Sequence, residues 1–269
     1  MTFSYLSGAF WLPILIALPP AVALGFFVKP LGSITFVPAY MNTSVESFGD
    51  VFRLIVDVTN FKKVYPLVLV FVGLLLSLCA NFSFIEKHFR TGRLMIKKPL
   101  SAINETFFPV FKVLLIFTAV SAVYTVLLVS LTAFAHYLIC GRGEPSAAAG
   151  VAVTLITLSL FILFLCLTGP VAFMIPMMTI YGHNFSDSLT SAFALVGKSP
   201  AAVIWGGFFP FGTVVLTEYI LSFFALHAAA AVVISALMYA FIIGYVPVYI
   251  MVVMFEVSGL ARKDNKRYY

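Results

Sequence analysis

The stretch VYPLVLVFVGLLLSLCANFSF at 64–84 carries no charge and runs directly into IEKHFRTGRLMIKK at 85–98. A helix needs about 20 apolar residues to cross the hydrocarbon layer, and Lys and Arg collect on the cytoplasmic flank of a span. An uncharged run that exits into Lys87, Arg90, Arg93, Lys97 and Lys98 therefore reads as a membrane-spanning helix ending in the cytoplasm.

The rest of the chain repeats the pattern. Further runs of spanning length occur at 9–28, 109–140, 147–181, 201–226 and 228–255, so the expected fold is all-α, a polytopic membrane bundle of six transmembrane helices. Of the 269 residues 62% are apolar and 10% charged, which fits one integral membrane domain, 1–269, and not a water-exposed surface. The net charge of +6 does not point to nucleic acid, because the basic residues flank apolar runs, where they meet anionic lipid head groups. Cys79, Cys140 and Cys166 have neither CxxC spacing nor an even count, so no disulfide framework or metal site is expected.

Prolines are read as interruptions in two runs, since each removes a backbone hydrogen bond. Pro13 and the pair Pro19-Pro20 interrupt the first, leaving a kinked or re-entrant segment open beside a full span. Gly169, Pro170 and Pro176 interrupt the fourth. Ala21-Val22-Ala23 resembles a signal cleavage site, but no Lys or Arg precedes the first run, so an uncleaved span is expected.

With six spans and the 85–98 segment inside, both termini are cytoplasmic in a multi-pass protein of the cell membrane. Ten Lys/Arg then lie inside (Lys87, Arg90, Arg93, Lys97, Lys98, Lys198, Arg262, Lys263, Lys266 and Arg267). Five lie outside (Lys29, Arg53, Lys62, Lys63 and Arg142), and Lys112 snorkels to the interface.

Two connecting stretches are amphipathic. In 46–61, Glu46, Asp50, Arg53, Asp57 and Asn60 oppose Phe48, Val51, Phe52, Ile55 and Val58, which predicts a helix lying in the interface or packed on the ends of neighbouring spans. In 185–196, Phe185, Leu189, Ala192, Phe193 and Val196 oppose Asp187, Ser188, Thr190 and Ser191, with Gly197 as the stop. The chain thus reads span, surface helix, span, span, twice over. That order matches a 3+3 inverted repeat of 1–140 and 147–260, the layout of many secondary transporters. Any six-span protein with two longer loops produces the same outline by accident.

The segment PMMTIYGHNFSDSLTSAFALVGKSPAAVI at 176–204 resembles a stretch of poorly characterised bacterial multi-span proteins related to the membrane domain of glycerophosphodiester phosphodiesterases. The shared features are Pro176, Gly182, Ser191, Leu195 and Gly197; where such proteins often carry an acid before the turn glycine, this chain has Tyr181. The resemblance implies a helical membrane domain. With no soluble phosphodiesterase domain in the sequence it implies no catalysis.

Ionisable groups are costly in hydrocarbon, so those within spans are the first functional candidates. Glu218 lies about 12 Å along the helix from the end of the fifth run, while His136 and His227 fall at the same side of the membrane. A carboxylate with two imidazoles can exchange protons near neutral pH. The alternative is an interfacial Glu bonded to Tyr219, with the histidines at head-group depth. The basic tract, with Phe89, Leu94 and Met95, suits an anionic leaflet or sets topology alone. Ala236, Ala240 and Gly244 recur every fourth residue and let another helix approach closely, within the bundle or across a dimer.

GxxxxGK[ST], HExxH and GxSxG are all missing, so an enzyme, a cofactor and a resident metal are not expected. The leading expectation is a small transporter or permease component, joined by other membrane subunits or an ATPase it lacks itself. A non-catalytic scaffold that binds membrane proteins and anionic lipid is the alternative.

Overall fold

A computed structural model describes residues 11–27, 32–59, 64–92, 99–141, 143–201, 205–206, 208–210, 212–213, 216–217 and 228–260. Among these every regular element is a helix: α1 Trp11–Phe27, α2 Gly32–Met41, α3 Phe48–Thr59, α4 Val64–Thr91, α5 Pro99–Cys140, α6 Ala147–Ile180, α7 Phe185–Lys198 and α8 Ala228–Val257. The all-α bundle expected from the apolar runs is the observed fold. Four described helices are long and apolar enough to cross a bilayer, over Val68–Thr91, Ile103–Cys140, Ala147–Ile180 and Ala230–Val257. At 17 residues α1 is shorter, about 26 Å. Most of the fifth run, 201–226, lies outside the described residues.

The prolines do not break the helices, which corrects the expectation at Pro19, Pro20, Gly169, Pro170 and Pro176. Helix α1 continues through Pro19 and Pro20, and α6 through Gly169, Pro170 and Pro176. The physical reason is visible for α1. Pro20 has no N–H to offer the carbonyl four residues back, Ile16, and the Ser77 hydroxyl of α4 donates to that carbonyl at 3.0 Å. One turn away, the Asn81 amide donates to the Pro13 carbonyl at 3.4 Å, and a methyl on Gly73 would stand 3.3 Å from Pro20 Cβ. Gly73, Ser77 and Asn81, four residues apart on α4, together receive the proline face of α1.

The opposite side of α1 is equally close to α8. The two run antiparallel: a methyl on Gly25 would stand 3.0 Å from the Val232 carbonyl, and one on Gly244 would stand 3.2 Å from the backbone at Pro13 and Ile14. Ala17, Ala21, Ala240 and Ile243 fill the space between. The row Ala236, Ala240 and Gly244 thus meets a matching row on α1.

Helices α5 and α6 form an antiparallel spine joining two apolar cores. The larger core gathers Leu75 to Phe89 of α4, Val110 and Val113 of α5, the Val171–Met177 end of α6, Ala192 and Leu195 of α7, and Tyr245 to Phe255 of α8. The smaller sits at the other end of the spine, where Phe36 and Tyr40 of α2 and Val51 of α3 pack on Leu128, Val129, Ala149 and Val153. Helix α5 begins at Pro99 and passes through Pro109, ten residues before the expected start at 109. Proline fits the first turn of a helix, so Pro99 is the true boundary marker. With 42 residues α5 is about 63 Å long, roughly twice the hydrocarbon thickness.

Three further details depart from the sequence reading. Helix α2, with Pro38 inside it, has no counterpart among the expected elements. Phe89 is fully buried edge-on against Phe255 instead of facing lipid, because α4 continues to Thr91 and keeps Phe89 on its core side. In α7 the buried face is Ser188, Ala192 and Leu195, while Phe185 and Phe193 are exposed. The Ser188 hydroxyl tolerates this because it donates to the Asn184 carbonyl at 2.7 Å.

Both surface helices form where amphipathicity placed them. In α3 the Asp50 carboxylate reaches back to accept from the Ser47 backbone N–H and hydroxyl, each at 2.9 Å, and these bonds hold it below the usual carboxylate range. Val51 is buried against α5 while Phe48 and Phe52 are exposed.

Ser77→Ala tests the α1–α4 contact. Leaving the Ile16 carbonyl without a donor should cost about 1 kcal/mol, read as a lower thermal midpoint in detergent, whereas Ser77→Thr, which keeps the hydroxyl, should shift it less.

Candidate functional site

At the α2 end of the spine Tyr40 and His136 form a buried polar pair. Both are almost wholly buried, and their rings meet edge to face with centroids 5.8 Å apart. The Tyr40 hydroxyl lies 2.7 Å from His136 Nδ1. Burial, followed by the nearby Cys140 sulfur, pushes the Tyr40 phenol up to about 12, so it keeps its proton and stays neutral in this hydrogen bond. The second ring nitrogen, Nε2, is buried with no partner among the described residues.

His136 does not stand alone. Tyr124, Leu128, Thr132 and His136 follow one i+4 ridge of α5, about 18 Å long. The Tyr124 hydroxyl and Thr132 Oγ1 are likewise buried without a partner among the described residues. Tyr124 stacks at a tilt on Phe164 of α6, with centroids 5.4 Å apart. An unsatisfied buried polar atom costs about 1–3 kcal/mol, so three along one ridge of an apolar helix pair form an expensive feature.

The ridge ends in a polar rim. Cys140 Sγ lies 3.3 Å from Ser146 Oγ, and the same serine caps α6 by accepting from the Ala149 N–H. One residue beyond Tyr40 opens a groove of about 260 Å³ lined by Met41, Asn42, Thr43, Ser44, Glu144 and Pro145. Gly150 makes room for its wall, since a methyl there would lie 2.6 Å from Met41 Sδ.

Of the three proton-exchange candidates, His136 is therefore deep in the bundle rather than at an open surface, with Tyr40 as its partner. Glu218 and His227 lie outside the described residues, as do Arg93, Lys97 and Lys98 of the basic tract. Lys87 and Arg90 are placed by charge and backbone at the opposite end of the spine. Lys87 pairs with Glu105 at 4.0 Å, and Arg90 pairs with Glu86 at 3.2 Å and donates to the Ile180 carbonyl at 3.5 Å. They tie α4 to α5 and α6 as well as carrying charge. Among the described residues no group of three His, Cys, Asp or Glu is arranged to hold a metal.

No family model, curated protein or solved structure matches the chain. Function has to be argued from the residues themselves.

Tyr40, Thr132 and Tyr124 carry no charge at neutral pH, so their residue types alone do not mark them as costly in hydrocarbon. The signal was present as polar residues at 124, 132 and 136, all multiples of four apart inside one apolar run.

Tyr40→Phe should destabilise the protein by about 1–3 kcal/mol, because Nδ1 loses its hydrogen-bond partner in a buried place. Adding His136→Phe should recover part of that loss, since removing both partners leaves nothing unsatisfied. Thermal unfolding of the two variants in one detergent measures both.

Proposed function

We propose that the protein is a small multi-pass transporter or permease component of the cell membrane whose solute or proton path follows the polar ridge of α5. The observation that carries this is the row Tyr124, Thr132 and His136, with buried polar atoms unpartnered among the described residues in a hairpin whose outer faces are apolar. Polar groups inside a membrane bundle mark water, ion or substrate pathways, because their cost in hydrocarbon is otherwise unrecovered. The groove beside Tyr40 gives such a path a mouth. Glu218 and His227 join it in this proposal on the strength of the sequence.

The end carrying Lys87, Arg90 and Lys198 is cytoplasmic in this reading, which puts both termini inside and the Tyr40 end outside. Phe48 and Phe52 of α3 then rest at the outer interface, and Phe185 and Phe193 of α7 at the inner one. Other membrane subunits or an ATPase supply any energy the chain has no motif for, and the inverted 3+3 repeat belongs to the same proposal. Unbroken helices favour the alternative of a non-catalytic scaffold, because prolines that leave a helix intact open no backbone site.

Accessibility separates the two. In a variant lacking Cys79, Cys140 and Cys166, a cysteine replacing the buried Thr132 should react with a small charged thiol reagent added to intact membranes, and one replacing lipid-facing Leu155 should not. An unreactive position 132, with a folded protein, would leave the ridge dry and sink the transport reading.

A further inference from the structure

At the end of the spine opposite Tyr40, the turn between α6 and α7 borders a second groove, of about 450 Å³. Its apolar lining includes Met177, Ala194, Leu195 and Val257, and its polar lining includes His183, Ser191 and Lys198. The sequence reading assigned no site here.

Local structure presents these groups. Gly182 holds the left-handed φ of +67° that a tight exit from α6 requires, and Tyr181 and His183 on either side of it stack with centroids 5.5 Å apart. The stacked imidazole is thereby fixed at the groove, with Nδ1 buried and without a partner among the described residues. Lys198, in the last turn of α7, is exposed and makes no ion pair among the described residues. Of the nearby carboxylates, neither Asp187 nor Glu256 lines the groove. One wall therefore offers a cation, an imidazole and a hydroxyl, and the other is thioether and aliphatic carbon.

We infer that this groove binds the phosphate of an anionic lipid, with Lys198 and His183 at the phosphate, Ser191 as a further donor, and Met177, Leu195 and Val257 against the first carbons of the glycerol and chains. A free anion would gain nothing from the apolar wall. The site also lies at the same end as Lys87 and Arg90, where anionic head groups concentrate against basic residues. It is separate from the α5 ridge: Ala149 and Met177 stand about 42 Å apart along α6, so either proposal can fail alone.

Native mass spectrometry of the full chain released from mixed micelles of dioleoylphosphatidylglycerol and dioleoylphosphatidylcholine tests this. The wild type should retain phosphatidylglycerol in preference to phosphatidylcholine, and Lys198→Gln should lower that retention about fivefold, the worth of one basic residue at the surface. Ala194→Trp, an exposed change that fills the groove, should abolish the preference while leaving the thermal midpoint unchanged. Retention unaltered by either variant would overturn the inference. So would displacement of the lipid by millimolar inorganic phosphate, which would make this a site for free anions.

Discussion

A helix that carries adjacent prolines through a membrane bundle must find donors for the carbonyls those prolines abandon. In this protein the donor comes from α4, where Ser77 reaches the Ile16 carbonyl. No water is available in hydrocarbon to take that role, so the neighbour's sequence is constrained by the prolines of α1. The consequences spread outward. For Ser77 to reach backbone, α1 and α4 must be close, which Gly73 permits against Pro20. Once α1 is held there, its other side, Ala17, Ala21 and Gly25, is set against Ala240, Ala236 and Gly244 of α8. Dispersion across such small-residue seams depends on near contact of two backbones, since apolar lipid would satisfy larger side chains equally well.

The same logic separates buried hydroxyls that are satisfied within α5 and α6 from those that are left open. Thr106 donates to the Cys79 carbonyl at 3.0 Å, and Thr157 and Thr168 return their hydroxyls to their own helix. These hydroxyls cost little. Tyr124, Thr132 and His136 Nε2 have no such outlet among the described residues. That contrast, within one pair of helices, is why the transport proposal rests on the α5 ridge and not on the threonine-rich face of α6.

Much of the architecture was legible because apolar length and helical period are local properties. Runs 147–181 and 228–255 became helices with nearly the same bounds, and the amphipathic stretches became α3 and α7. Proline was misread because its effect depends on a neighbour: nothing near Pro20 in sequence announces Ser77, 57 residues later. Helix α2 was missed since GSITFVPAYM has neither a clean period nor spanning length, and it is held by inserting Phe36 and Tyr40 between other helices. At the site, His136 stood out as an ionisable group in an apolar run. Its partner Tyr40, 96 residues away, could emerge only from the fold.

The central physical claim is that α1 is an unbroken helix locked between α4 and α8, and an engineered disulfide addresses it directly. Cβ atoms at positions 25 and 236 would lie 3.3 Å apart, close to disulfide range. In membranes bearing Gly25→Cys and Ala236→Cys in a background free of native cysteines, mild oxidation should link the two ends of the chain. After trypsin cuts at Arg93, Lys97 or Lys98, the α1 and α8 fragments should stay joined until reduced. Fragments that separate without reductant, although each cysteine reacts singly, would contradict the α1–α8 seam and with it the packing on which the bundle is built.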